Sequence, residues 1–276
     1  ITDSNNMMGA FHFVSGAHKK GIKPIVGCEL NVCKNHKDRT HQDDGFPVLF
    51  LAQNYQGYQN LSKLSSIANT EGYYYVPRID KDLVAQYKEG LIVSTGSVFG
   101  EVPFHILNIG EERAEEQFLW WKETFGDNFY GELTNHGLEE EQVVNQMILQ
   151  FCKKHNVAYF ASNNSYYTNQ QDAEAQDALL CVKDGEFVSK PSKYIGKRGR
   201  EFRFGFPNNQ FYMKSAEEMT QAFPHHPEAL NETLRIAEKC ESFKLDRDIL
   251  LPKFEIDLSF ITQEQEEIKR AHERLI

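Results

Sequence analysis

Short apolar runs alternate with stretches of helical spacing over the first two thirds of the chain. Pro24 to Leu30, Val48 to Ala52, Leu91 to Ser94, Phe129 to Leu133 and Val157 to Ala161 each have the length and composition of a buried strand. Between them, apolar residues recur every three or four positions: Met7, Phe11 and Val14; Tyr58, Leu61, Leu64 and Ala68; Phe118, Trp121 and Phe125; Val144, Met147, Ile148 and Phe151. Each set makes one face of a helix. Asn5 or Asn6 can cap the first helix, Gly21 can end it, and Gly57 opens the second. Asn35 to Gly45 reads as a loop, and Gly72 to Pro77 as a surface segment or short strand. The order strand, helix, strand predicts parallel strands with right-handed crossovers, in a barrel or an open sheet.

The alternation stops near Tyr167. A helix is expected over Asp172 to Val182, and a loop or hairpin over Lys190 to Phe206. Phe211 to Met213 reads as a short strand. Ser215 to Glu218 is a capping box, and a helix follows Pro227 with Leu230, Leu234 and Ala237 as its face. Leu251 to Phe254 reads as extended, and Gln263 to Leu275 as a polar helix with a stripe at Ile268, Ala271 and Leu275. A boundary between Val182 and Lys190 divides the chain into an α/β domain over 1–185 and an α+β extension over 186–276.

Composition narrows the function classes. With 276 residues, 40% apolar and 25% charged, the chain can bury a sizeable core. No apolar run is long enough to span a membrane, and the first residues lack the basic and apolar parts of a signal peptide. Five cysteines, widely spaced and without a C-x-x-C pair, imply reduced thiols in the cytosol. A net charge of −10 argues against the chain gripping DNA by itself. No phosphate-binding glycine loop, dinucleotide fingerprint or serine nucleophile elbow is present.

Candidate chemistry gathers where strands end: Asp3-Ser4, Glu29, Thr95 to Ser97, His136, and Asn163 to Tyr166. In parallel α/β folds such ends converge on one pocket. Only Asp3, Glu29 and His136 are good metal donors; the serines, asparagines and tyrosine are neutral. A hydrogen-bonded polar mouth is the favoured reading, and an occupied metal centre the rival. His136 alone reads as a histidine in a turn, and Glu29 as a carboxylate satisfied by its neighbours. A second cluster, Lys190, Lys193, Lys197, Arg198, Arg200 and Arg203 with Tyr194 and Phe202, is either a solvated charged hairpin or a nucleic-acid contact centred on Lys197, Arg198 and Arg200. His225-His226 reads as a helix-entry loop.

Several segments resemble the N-terminal PHP (polymerase and histidinol phosphatase) domain of bacterial replicative DNA polymerase III alpha subunits. They include Ile1-Thr2-Asp3 with Gly9, Gly21 to Glu29, Leu51 to Asn54 with Gly57 to Leu61, and Glu89 to Ile92 with Gly100 to Pro103. Asn135 to Leu138, Asp177 to Cys181, Tyr212 to Met219, Pro227 to Leu230 and Ala237 to Cys240 extend the likeness in order, up to about Phe254. The resemblance implies a distorted (βα)7 barrel, here lacking its first strand, with up to three metals at the strand C-termini. A smaller α+β extension would lead toward the polymerase palm. The full-length parent would be a DNA-directed DNA polymerase using Mg in a palm beyond this region, cytoplasmic, acting on primer-template DNA. Its partners would be a proofreading exonuclease subunit and other replicase subunits.

The chain departs from the family's ligand pattern. Thr-Asp-His appears as Thr2-Asp3-Ser4, a histidine before the Leu-Ala strand as Pro47, Ser-Gly-Cys as Thr95-Gly96-Ser97, and Thr-Asn-Asp-x-His as Ser162-Asn163-Asn164-Ser165-Tyr166. The resemblance therefore implies a vestigial site of Asp3, Ser4, Glu29, Ser97, His136, Asn164 and Tyr166, with no tightly bound cofactor and no catalytic residue in this region. The alternative is an active phosphoesterase or 3′–5′ exonuclease holding Zn or Mn on Asp3, Glu29 and His136. An unrelated sugar-phosphate barrel is a weaker third option.

Overall fold

A computed structural model describes residues 1–196, 198–246 and 258–274. Contacts divide it into two units, Ile1–Lys244 and Leu245–Ile276. In chain order, β1 (Thr2–Ser4), α1 (Ala10–Lys19), β2 (Gly27–Cys33), β3 (Phe46–Ala52), α2 (Tyr55–Thr70), β4 (Ile79–Asp80) and α3 (Lys81–Gln86) come first. Next are β5 (Leu91–Ser94), α4 (Glu101–Asn108), α5 (Glu111–Phe125), β6 (Phe129–Thr134), α6 (Glu139–His155), β7 (Tyr159–Ser162) and α7 (Ala173–Asp184). The first unit closes with β8 (Ser192–Lys193), β9 (Arg203–Phe204), α8 (Ala216–Ala222) and α9 (Pro227–Lys239); the second contains α10 (Leu258–Glu273).

One curled sheet organises the first unit, in the order β1-β2-β3-β5-β6-β7, with β4 joined to β2. This is the mixed α/β, half-barrel architecture that the strand and helix pattern implies. It is not all parallel. β1 and β4 run parallel to β2, and β5, β6 and β7 run parallel to one another. β3 runs antiparallel to both β2 and β5. The reason is local: residues 34–45 join β2 to β3 without a helix, and a parallel return needs a crossover.

In α2, α5 and α6 the faces read from spacing are the ones that pack, while Phe11 of the first face is exposed. Leu61, Leu64 and Ala68 of α2, Phe118, Trp121 and Phe125 of α5, and Val144, Ile148 and Phe151 of α6 enter one cluster with Phe50, Leu91 and Phe129 of the sheet. Arg78, fully buried, donates to the carbonyls of Asp38 (2.8 Å), Asp43 (2.9 Å), Gly72 (3.1 Å) and His36 (3.3 Å), which fixes the β2–β3 loop. The five cysteines are buried and unpaired. Among the described residues, no helix is long and apolar enough to cross a membrane.

Other local expectations are corrected. α1 begins at Ala10, several residues later than read, because Asn5 takes a left-handed conformation (φ 60°) and Asn6 uses its side chain on the Met8 N–H. Residues 211–213 form only a single bridge, Tyr167 with Tyr212, and no strand. Residues 190–206 make no hairpin: β8 and β9 pair in parallel, and Tyr194 packs with Phe204, Phe206 and Phe211. In α9 it is Ala229 and Ile236 that are buried, while Leu234 is 65% exposed. The extended segment read at Leu251 to Phe254 lies outside the described residues.

Candidate functional site at the sheet mouth

A cavity of about 620 Å³ is walled by the ends of β1, β5 and β7 and by residues from within β2, β3 and β6. Its wall includes Asp3 and Ser4 from β1, Glu29 from β2, Gly96 and Ser97 after β5, Glu132 from β6, and Ser162 to Tyr166 at the end of β7. Parallel pairing sets Ser4 beside Glu29, which explains why two residues distant in sequence share a wall. The reversed strand β3 contributes Leu49, also from within the strand.

Six residues read from the sequence therefore face one space: Asp3, Ser4, Glu29, Ser97, Asn164 and Tyr166. His136 is not among the lining residues. It is 2% exposed, its Nδ1 lies 2.6 Å from Glu141 Oε1, and its backbone N–H donates to Glu141 Oε2 at 2.6 Å. Its ring stacks on Phe211 with centroids 4.1 Å apart, and its carbonyl accepts from Asn208. Its Nδ1 and backbone N–H are thus committed to the turn between β6 and α6, while its Nε2, also buried, has no hydrogen-bond partner among the described residues. Of Asp3, Glu29 and His136, the first two line the cavity and His136 lies outside its lining.

Glu132 is the residue that sequence reading missed. It sits in a strand whose six positions are all buried. Ser94 Oγ donates to its Oε2 and Ser162 Oγ to its Oε1, each at 2.5 Å, and its backbone N–H donates to Thr95 Oγ1 at 3.0 Å. Burial pushes its carboxyl above the usual carboxylate range, with the two serine hydrogen bonds opposing. Glu29 is raised in the same way by burial; Ser4, donating at 3.0 Å, opposes, and the charge of Glu132 adds. A lone glutamate inside an apolar strand run was the available signal, and it was present at Glu29 as well.

The donor set can be tested against the cations that such a mouth could hold. A divalent ion needs several ionised or imidazole donors converging at bonding distance. Among the described residues no group of three His, Cys, Asp or Glu side chains is placed to hold one. Two of the three carboxylates on the wall are raised by burial and already engaged by serines, and the other polar donors are neutral.

The basic segment is mostly tied down. Arg203 makes a two-point bridge to Asp177 at 2.6 and 2.7 Å and also holds the carbonyl of Lys190 at 2.9 Å. Lys190 pairs with Glu186 at 2.6 Å, and Arg198 lies over the Phe204 ring. Arg198 and Arg200 are exposed; Lys197 lies outside the described residues.

Residues 1–136 match the family model described as PHP domain. The chain is 40% identical over 267 residues to the DNA polymerase III subunit alpha of Borreliella burgdorferi, which covers 95% of this chain and 22% of that protein. It is 37% identical over 269 residues to the subunit of Treponema pallidum, covering 96% and 22%, and 33% identical over 249 residues to that of Thermus aquaticus, covering 87% and 20%. The chain spans about a fifth of the length of these relatives.

Proposed function

We propose, from the premise that residues 1–136 form a PHP domain of the DNA polymerase III alpha type, that this chain is the PHP-bearing part of a replicative polymerase and serves it as a scaffold rather than as a second hydrolase. Template-directed DNA synthesis, with its Mg, would belong to the palm of the longer protein, and the cell compartment would be the cytoplasm. The division into a barrel over 1–185 and an extension over 186–276 is part of the same proposal.

The observation that carries the reading is the cavity wall. Two of its three carboxylates, Glu29 and Glu132, accept from serine hydroxyls, and His136, outside the lining, pairs through Nδ1 with Glu141. A scaffold still needs a rigid outer surface, and docking of a separate proofreading exonuclease subunit, with other replicase subunits, is the use that the family resemblance supports. Contact with primer-template DNA through Arg198 and Arg200 would be an auxiliary role.

Metal analysis and a phosphoesterase assay decide the matter. The expected outcome is less than one tenth of an equivalent of zinc or manganese per chain after dialysis, and no chelator-sensitive hydrolysis of a phosphomonoester or a single-stranded oligonucleotide. Stoichiometric metal together with hydrolysis abolished by chelator would overturn the scaffold reading.

A further inference from the structure

The network around Glu132 does more than satisfy a buried carboxyl. Ser94 is the last residue of β5 and Ser162 the last of β7, and Glu132 lies on β6 between them. One side chain therefore touches the ends of both neighbouring strands, through one carboxylate oxygen each. The Glu132 backbone N–H adds a third link, to Thr95. Directly after Ser162 the chain becomes the Asn163 to Tyr166 wall of the cavity.

We propose that Glu132 is a positioning residue: its carboxyl group bridges β5, β6 and β7 through Ser94 and Ser162, and so holds the Asn163 to Tyr166 wall in place where a bound cation would otherwise draw the strand ends together. The proposal rests on the reading of this mouth as free of metal. Chemically the substitution is a plain one. A metal ion gathers carboxylates by accepting their lone pairs; two hydroxyl protons accept the same lone pairs and need no ion. Both oxygens of Glu132 accept in this way, one serine each.

Replacement by alanine leaves the buried Ser94 and half-buried Ser162 hydroxyls without their acceptor, whereas glutamine keeps the shape, accepting from one serine and donating to the other. Three variants of the 276-residue chain test this: Glu132→Ala, Glu132→Gln and Ser162→Ala, followed by thermal unfolding and by amide hydrogen exchange at residues 163–166. The alanine variant should lower Tm by at least about 4 °C. It should also speed exchange at 163–166 by about tenfold or more, the equivalent of one decade in the opening equilibrium. The glutamine variant should recover at least half of both effects, which a general packing role would not require. If Glu132→Ala does not fold, Ser162→Ala, which removes one arm, must by itself speed exchange at 163–166. Unchanged exchange in the alanine and serine variants, a smaller Tm shift, or a glutamine variant as impaired as alanine overturns the proposal. Manganese added to the wild-type chain keeps the two readings apart: a stoichiometric Tm increase refutes the metal-free mouth, while a silent Glu132→Ala refutes the bridge.

Discussion

Two buried glutamates, Glu132 on β6 and Glu141 on α6, behave in opposite ways. Burial raises both Glu132 and Glu141, but Glu141 also receives the hydrogen bond and charge of His136 and two backbone N–H donors, and ends below its ordinary range. Glu132 has only serine donors and stays above it. The pH consequences follow with opposite sign. Glu141 contributes stability above the unfolded glutamate value of about 4.3, lost as pH falls through its lower folded value. Glu132 favours the folded state most when protonated, so its contribution declines as pH rises from about 4.3 through its higher folded value. Urea unfolding as a function of pH should show this: Glu132→Gln flattens the decline above pH 4.3, and Glu141→Gln removes part of the acid-side loss. An unchanged slope in both variants would contradict the assignment. At this scale the sequence displayed Asp3, Ser4, Ser97, Asn164 and Tyr166 because they stand at breaks in the apolar pattern, and Glu29 because it lies near the end of its run. It hid Glu132, which lies inside one, and it could not show that His136 faces Glu141 rather than the cavity.

Helices were legible wherever one face repeats over three turns, as in α2, α5 and α6. Short elements without such a stripe, α3, α4 and β4, were not, since their apolar residues are too few to set a period. The start of α2 shows how tightly an element can be fitted. Asn54 caps it by accepting from Gly57 N–H at 3.0 Å, and a Cβ on Gly57 would lie 1.9 Å from the carbonyl oxygen of Gly90. Alanine at a helix position normally helps; here the backbone of Gly90 must move. Gly57→Ala should cost about 1–3 kcal/mol, and Asn54→Ala about 1 kcal/mol, read from denaturant midpoints at constant m. A stabilised Gly57→Ala variant would show that the helix shifts freely against β5, contrary to the packing described.

The whole molecule carries a net charge of −10, and its basic segment is largely paired internally. In fluorescence anisotropy at 0.15 M salt, the chain alone should bind an oligonucleotide with Kd weaker than about 10 µM. Tighter, salt-sensitive binding lost in an Arg198→Ala, Arg200→Ala double variant would restore that segment as a nucleic-acid contact. The global topology was readable in its α/β order but not in the direction of β3, because polarity patterns do not encode which way a strand runs. That reversed strand depends on the loop before it, and Arg78 grips the loop at His36, Asp38 and Asp43 while residues 39–42 stay exposed. The loop is therefore clamped at its two feet and free at its crest. A foreign peptide spliced between His41 and Gln42 has somewhere to go, whereas the same graft at Asn35 or Asp44 would pull on the guanidinium and drag β3 out of step with its neighbours.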